Sequence, residues 1–301
     1  MIPQNKSILR KVLYASYQEG ESLPGYIRYA LAGLVQTGFT VAYLTNRRDL
    51  DPSSHAFLDS HHIELFFTDN HGYDFGMWRR YIQYTAKFRR EEWERLVLVN
   101  DSIVYYQNRF NMIFAKAEDS EAEIFSLTEN DEYAYHLQSF FLYLKPKAIS
   151  VFFKHILKEP EGEDFYDTVK RLEVGTSIAM QNAGIKLEAL YHTDKKILFS
   201  YPKLISQKAG FVKRKLLESR FTRDEVFHFW KNGEAKALST DYATLIEREG
   251  AIDKDFDKKW LATKNEGFCH LMKKVKILLY RIHWELSKAK ARAQHQQRLE
   301  R

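Results

Sequence analysis

The sequence predicts an α/β fold on a mostly parallel central sheet. Two observations carry this prediction. Apolar runs of strand length alternate with amphipathic runs of helical period through the first hundred residues. Four of those apolar runs also end in polar residues, at the strand ends where open parallel sheets bind ligands.

ILRKVLYASY (8–17) forms a first strand with its loop. PGYIRYALAGLVQTG (24–38) opens on Pro24, closes on Gly38 and spaces Ile27, Ala30, Leu31, Leu34 and Val35 along one helix face. FTVAYLTN (39–46) is a second strand, PSSHAFLDSH (52–61) a short helix and IELFFTDN (63–70) a third strand. MWRRYIQYTAKF (77–88) is helical, and RLVLVNDS (95–102) is a fourth strand. QNRFNMIFAKAE (107–118) is a helix, followed by strands at 123–130 and 136–145, helices at 147–157 and 164–184, and a last strand at 185–191. This reading divides the chain into an α/β domain over 1–200, a helical and loop extension over 201–268, and a basic amphipathic helix over 269–301.

A chain of 301 residues with 45% hydrophobic content can fill a sizeable core. The lone Cys269 cannot form an intrachain disulfide, and the N-terminus has no long apolar region, so a cytoplasmic protein is expected. The net charge of +6 is a tail property: residues 270–301 carry nine Lys and Arg against two Glu, leaving −1 for the rest. With the basic residues gathered in one helix and no recognised module beside them, no nucleic-acid partner is expected. That helix spaces Leu271, Val275, Leu278, Leu279, Ile282 and Leu286 for an apolar face, suited either to an anionic membrane surface or to a partner helix.

The strand-end loops select the chemistry. They carry Ser16 and Tyr17, Thr45 and Asn46, Asn70 through Gly76, and Asn100, Asp101 and Ser102. Asp101 can hold a divalent cation that bridges two phosphates, or can serve as a turn former. Gly72 and Gly76 allow close backbone approach, while Asn70 and Asp74 can bond ribose and phosphate groups. A helix beginning at Met77 would point its amides at the same place; the bland reading is a tight loop that caps it. In HLQSFFL, strict alternation puts His136, Gln138 and Phe140 on one face, either as satisfied core groups or as ligand contacts. Glu173 flanks the buried stripe of its helix, where a carboxyl with a raised pKa would suit a general base; its alternative is an ion pair with Lys170 or Arg171.

Six segments together resemble the rhamnan synthesis F family of bacterial glycosyltransferases: YASYQEGESLPGYIRYALAGL, VAYLTN, DNHGYDFGMWRRYI, LVLVNDSIVYY, HLQSFFLYLK and EVGTSIAMQNAG, in that order over residues 10–190. The resemblance implies a GT-A-like, Rossmann-type nucleotide-binding fold. It also implies transfer of a sugar, commonly rhamnose or another deoxyhexose, from a nucleotide-diphosphate donor onto a growing surface polysaccharide or lipid-linked glycan. By that analogy Asp101 stands at the metal-binding position, for Mn or Mg, in a motif NDS with one carboxylate instead of two. Asn70, Gly72, Tyr73 and Asp74 would line the donor site, with Thr45 and Asn46 near the base. Glu173 would take the acceptor proton in an inverting, metal-assisted transfer. The alternative is a sugar-nucleotide or glycan-binding subunit without catalysis.

Overall fold

A computed structural model describes residues 8–88, 92–131, 133–162, 164–193, 197 and 200–218. Strands β1 (Ile8–Ser16), β2 (Thr40–Thr45), β3 (Glu64–Phe67) and β4 (Glu92–Asn100) make the parallel half of one sheet. Helices α1 (Gly25–Val35), α2 (Pro52–Ser60) and α3 (Tyr73–Phe88) connect them. Next come β5 (Ile103–Tyr105), α4 (Phe110–Asp119), β6 (Ile124–Asn130), β7 (His136–Leu137), β8 (Phe141–Leu144), α5 (Pro146–Lys158) and β9 (Leu187–Tyr191). The sheet order is β3-β2-β1-β4-β8-β6-β7, with β9 parallel to β6; β8 is antiparallel to both β4 and β6. This is the α/β fold on a mostly parallel central sheet that the periodicity predicts.

Alternate residues of each central strand point to opposite faces, and both faces are dry. Val12, Tyr14, Val41, Tyr43, Val97 and Val99 pack beneath α1 and α4 with Leu31, Phe110 and Phe114. Leu13, Ala42, Leu44, Leu96 and Leu98 pack against α3 and α5 through Trp78, Tyr81 and Phe152. Burial on both faces explains why these strands read as continuous apolar runs. Because β2 and β3 lie to one side of β1 and β4 to the other, winding reverses at the β1/β4 pair, the place where such sheets open a ligand crevice.

Four local expectations change. Helix α3 begins at Tyr73 instead of Met77, so Asp74 stands in its first turn. Gly76 lies inside the helix, where a Cβ would come within 1.9 Å of the His71 carbonyl oxygen. The strand expected at 136–145 is broken between β7 and β8, which overturns the alternation assigned to His136, Gln138 and Phe140. There the Gln138 N–H turns to the Thr128 carbonyl (3.0 Å), and the Asn100 N–H reaches the Phe140 carbonyl (3.3 Å). The helix expected over 164–184 runs through α6 (Phe165–Thr168), a π-helical segment (Val169–Val174) and α7 (Gly175–Asn182). Finally, α8 (Tyr201–Ser206), β10 (Phe211–Lys213) and α9 (Arg214–Glu218) pack onto the α/β domain, although a separate extension was expected from residue 201. β10 pairs antiparallel with β5, placing Lys213 opposite Ile103. The remainder of the expected extension and the basic helix at 269–301 lie outside the described residues. Among the described residues, no helix is long and apolar enough to cross a membrane.

Candidate active site

A cavity of about 600 Å³ opens over the carboxyl ends of β1 and β4. At the switch point the Ser16 hydroxyl donates to Asp101 Oδ2 at 3.0 Å. Asp101 and Asp74, one in a loop and the other in a helix, share this cavity. Asn100 ties them into a single wall: its Nδ2 donates to Asp74 Oδ2, while its Oδ1 accepts from the Ser102 N–H (3.0 Å) and hydroxyl (2.6 Å).

The opposite wall is built by the broken strand and the π-helical segment. Glu173 accepts from the Ser139 hydroxyl at 3.0 Å and lies 3.5 Å from His136 Nε2. His136 Nδ1 carries the proton donated to the Ala134 carbonyl, 2.8 Å away, which leaves Nε2 facing the carboxylate. Burial pushes the Glu173 carboxyl up, but the hydrogen bond and charge of His136, the charge of Lys213 and the Ser139 bond together hold it below the ordinary glutamate value. The raised pKa expected for Glu173 is therefore corrected, and its partner is His136 instead of Lys170 or Arg171. Arg171 pairs with Asp167, one turn away, at 2.8 Å.

The elevated carboxyls are on the first wall. Burial raises Asp74 to about 6 against the Asn100 hydrogen bond, with the charges of Glu173 and Asp101 adding to the rise. Burial also raises Asp101, opposed by Arg214 and Ser16.

Two cations arrive from a part of the chain the sequence reading placed outside the domain. Arg214 Nη1 donates to Asp101 Oδ2 at 2.7 Å. Lys213 Nζ lies 3.2 Å from the Ser102 hydroxyl and 4.5 Å over the Phe140 ring. Burial lowers Lys213 to about 8, against the pull of Glu173 and Asp74. Among the described residues Lys213 is within ion-pair distance of no carboxylate, so its charge can also meet an anion in the cavity. The signal for these residues was the run KRK at 213–215 directly after FV, a charge cluster on a strand end.

Ser16, Tyr17, Asn70, Tyr73, Asp74, Asn100, Asp101, Ser102, His136, Gln138 and Glu173 all line the cavity. Gln138 does so while holding the fold, since its side-chain oxygen accepts from Thr128 at 2.7 Å. Three residues expected at the site are elsewhere. Thr45 is fully buried at the end of β2, and Asn46 brackets the Gln18 backbone at 2.7 and 3.1 Å. Gly72, at φ +71°, serves the turn into α3 beside Glu161. The amides at the start of α3 are also used internally: Tyr73 N–H bonds the Asn70 carbonyl (3.1 Å), Phe75 N–H bonds Asp74 Oδ1 (3.0 Å) and Gly76 N–H bonds the Gly72 carbonyl (2.9 Å). The helix end expected to greet a phosphate is already capped by the Asp74 carboxylate.

Asp101 was also the expected ligand of Mn or Mg. Its Oδ2 accepts from both Arg214 and Ser16, and a divalent ion there would sit against a guanidinium. Among the described residues no three His, Cys, Asp or Glu side chains converge to hold a metal. Asp101 Oδ2 is thus engaged by protein donors, and the two basic side chains place positive charge beside it.

Several solved structures align with the chain at low similarity. They include a cytidylyltransferase from Leptospira borgpetersenii (11% identity, 80% of this chain and 93% of that one, TM-score 0.39). A 4-diphosphocytidyl-2C-methyl-D-erythritol synthase from Anaerococcus prevotii aligns at 10% identity over 62% and 90% of the two chains, with a TM-score of 0.39. A glycosyltransferase involved in the glycosylation of the major capsid of PBCV-1 aligns at 14% identity over 71% and 98%, with a TM-score of 0.35. No curated protein matches the chain in sequence. The family model of rhamnan synthesis protein F matches residues 43–255, most of the chain, and the chain belongs to that family.

Proposed function

We propose that the protein is a glycosyltransferase that moves a sugar, rhamnose or another deoxyhexose, from a nucleotide-diphosphate donor to the hydroxyl of a growing surface polysaccharide. The observation that carries this reading is the joint placement of Asp74, Asp101 and Glu173 with Lys213 and Arg214 around one cavity at the β1/β4 switch point. Family membership supports it. The acceptor oxygen attacks the anomeric carbon, the bond from that carbon to the diphosphate oxygen breaks with its electron pair, and configuration inverts. Glu173, held ionised by His136 and Ser139, takes the acceptor proton.

Lys213 and Arg214 offset the charge that gathers on the departing diphosphate, an electrostatic role that strengthens where water is excluded. Asp101 is a positioning residue, holding the Arg214 fork through Oδ2. Asp74 and Asn100 face the donor's hydroxyls. Surface association of this enzyme through residues 270–301 on the cytoplasmic side belongs to the same reading, with liposome flotation of full-length and truncated chains as its test.

The deciding experiment is a thermal-shift screen of nucleotide-diphosphate sugars followed by an assay of donor consumption with a rhamnose oligosaccharide. Stabilisation by one donor with release of its nucleoside diphosphate supports transfer. Binding without turnover replaces the enzyme with a sugar-nucleotide-binding subunit, and no binding by any donor removes both.

A further inference from the structure

Large hydrophobic side chains are seldom exposed together on a protein surface unless they meet something. Among the described residues Tyr17, Tyr73, Tyr84, Tyr135, Leu157, Phe165, Tyr166 and Ile178 are the exposed ones. Tyr17, Tyr73, Phe165 and Tyr166, half of them, line the one cavity described above. Phe165 and Tyr166 are 53% and 52% exposed. Their concentration at the mouth of a polar cavity marks a built rim.

The rim is held in place. Tyr73 sets its ring edge-to-face against Phe165 at 5.9 Å, and Phe165 stands edge-to-face to Tyr166 at 5.6 Å. Edge-to-face contacts are favourable and fix ring orientation without covering both ring faces. Tyr73 keeps φ at +56°, a left-handed backbone that non-glycine residues seldom adopt and that recurs at ligand-holding sites. Phe165 and Tyr166 start the helical run whose π-helical segment delivers Glu173 into the same cavity, and π-helical insertions are themselves frequent at functional sites.

We infer that Phe165 and Tyr166, backed by Tyr73, form the platform on which a pyranose unit of the acceptor glycan stacks. This inference rests on the glycosyltransferase reading and assigns its acceptor side. The exposed rim is aromatic, where a groove for a lipid chain would be largely aliphatic. A pyranose offers an apolar C–H face to a ring and hydroxyls to a phenol, so the Phe165 ring together with the phenols of Tyr166 and Tyr73 matches it on both counts. A sugar seated there rests on the same helical run as Glu173, the group assigned to receive its proton.

The test uses the full-length chain with methyl α-L-rhamnopyranoside and a rhamnose disaccharide as probes. Saturation-transfer NMR should show contact through the sugar's C–H protons, falling at least fivefold in Phe165→Ala and in Tyr166→Ala. Both rings are about half exposed, so their truncation leaves the fold intact. In kinetics the acceptor KM should rise about tenfold while nucleoside diphosphate binding stays unchanged. Equal saturation transfer in wild type and both variants overturns the platform, as does a loss confined to nucleoside binding, which would assign the rings to the nucleobase. Absence of donor turnover in every form would defeat the glycosyltransferase reading instead, while the NMR result would still decide whether the rings bind sugar.

Discussion

The two ends of β1 and β4 handle charge in opposite ways. At their amino ends Glu118 receives Arg95 through Nε and Nη2 at 2.8–3.0 Å and Arg10 at 2.9 Å, together with the Tyr143 hydroxyl. Burial raises its carboxyl, but these bonds win and hold it below the usual range. At the carboxyl ends burial prevails: Asp74 and Asp101 are pushed up and Lys213 is pushed down. One rim is a closed network in which each charge has its partner. The other leaves burial incompletely offset, so that its proton affinities are moved, which is the mark of a site arranged for a ligand. Ion pairs by themselves therefore do not point to function; incomplete compensation beside a cavity does.

The largest expected effect tests the open rim. Asp101→Ala should lower donor turnover by about a thousandfold, the scale of losing one oriented electrostatic group, with an unchanged circular dichroism spectrum. Near-normal transfer would place Asp101 with the structural charges and erase the contrast. Glu173→Gln should lower kcat by about a hundredfold while leaving donor binding intact, because only proton transfer is lost; equal loss in donor affinity would show a binding role.

The closed rim should respond in stability instead. Glu118→Ala strands Arg95 and Arg10 at a partly exposed position and should cost about 1–2 kcal/mol, read from a denaturant midpoint, with kcat/KM unchanged. A loss of activity at full stability would join the two rims.

The last effect is of similar size and opposite sign. The folded Asp74 pKa of about 6 lies above its ordinary value of 3.8, so the folded protein binds this proton more tightly and loses stability as pH rises through that window. Asp74→Asn should then be more stable than wild type by roughly 1–2 kcal/mol at pH 7, with the gap closing toward pH 4. A variant less stable at pH 7 would mean that the ionised carboxylate is well compensated, as Glu118 is.

Much of the fold was legible because it is written in local periodicity. β1, β2, β3, α1, α2 and α5 fall within a few residues of their expected bounds, and the strand-end rule brought Ser16, Asp74 and Asp101 to one cavity. The same rule over-reached at Thr45 and Asn46, because β2 lies one strand away from the switch point and its end is occupied by Gln18. β5 and β10 escaped notice since three residues are too few to show a period of two.

By itself the sequence determined the alternation of buried strands and amphipathic helices, the polar rim at the strand ends, and the family. Only the tertiary structure decided who meets whom there: Arg214 on Asp101, Lys213 over Phe140, and His136 against Glu173. The reason is physical. Hydrophobic period is a property of neighbours along the chain, whereas the proton affinity of a carboxyl is set by burial and by charges that arrive from a hundred residues away.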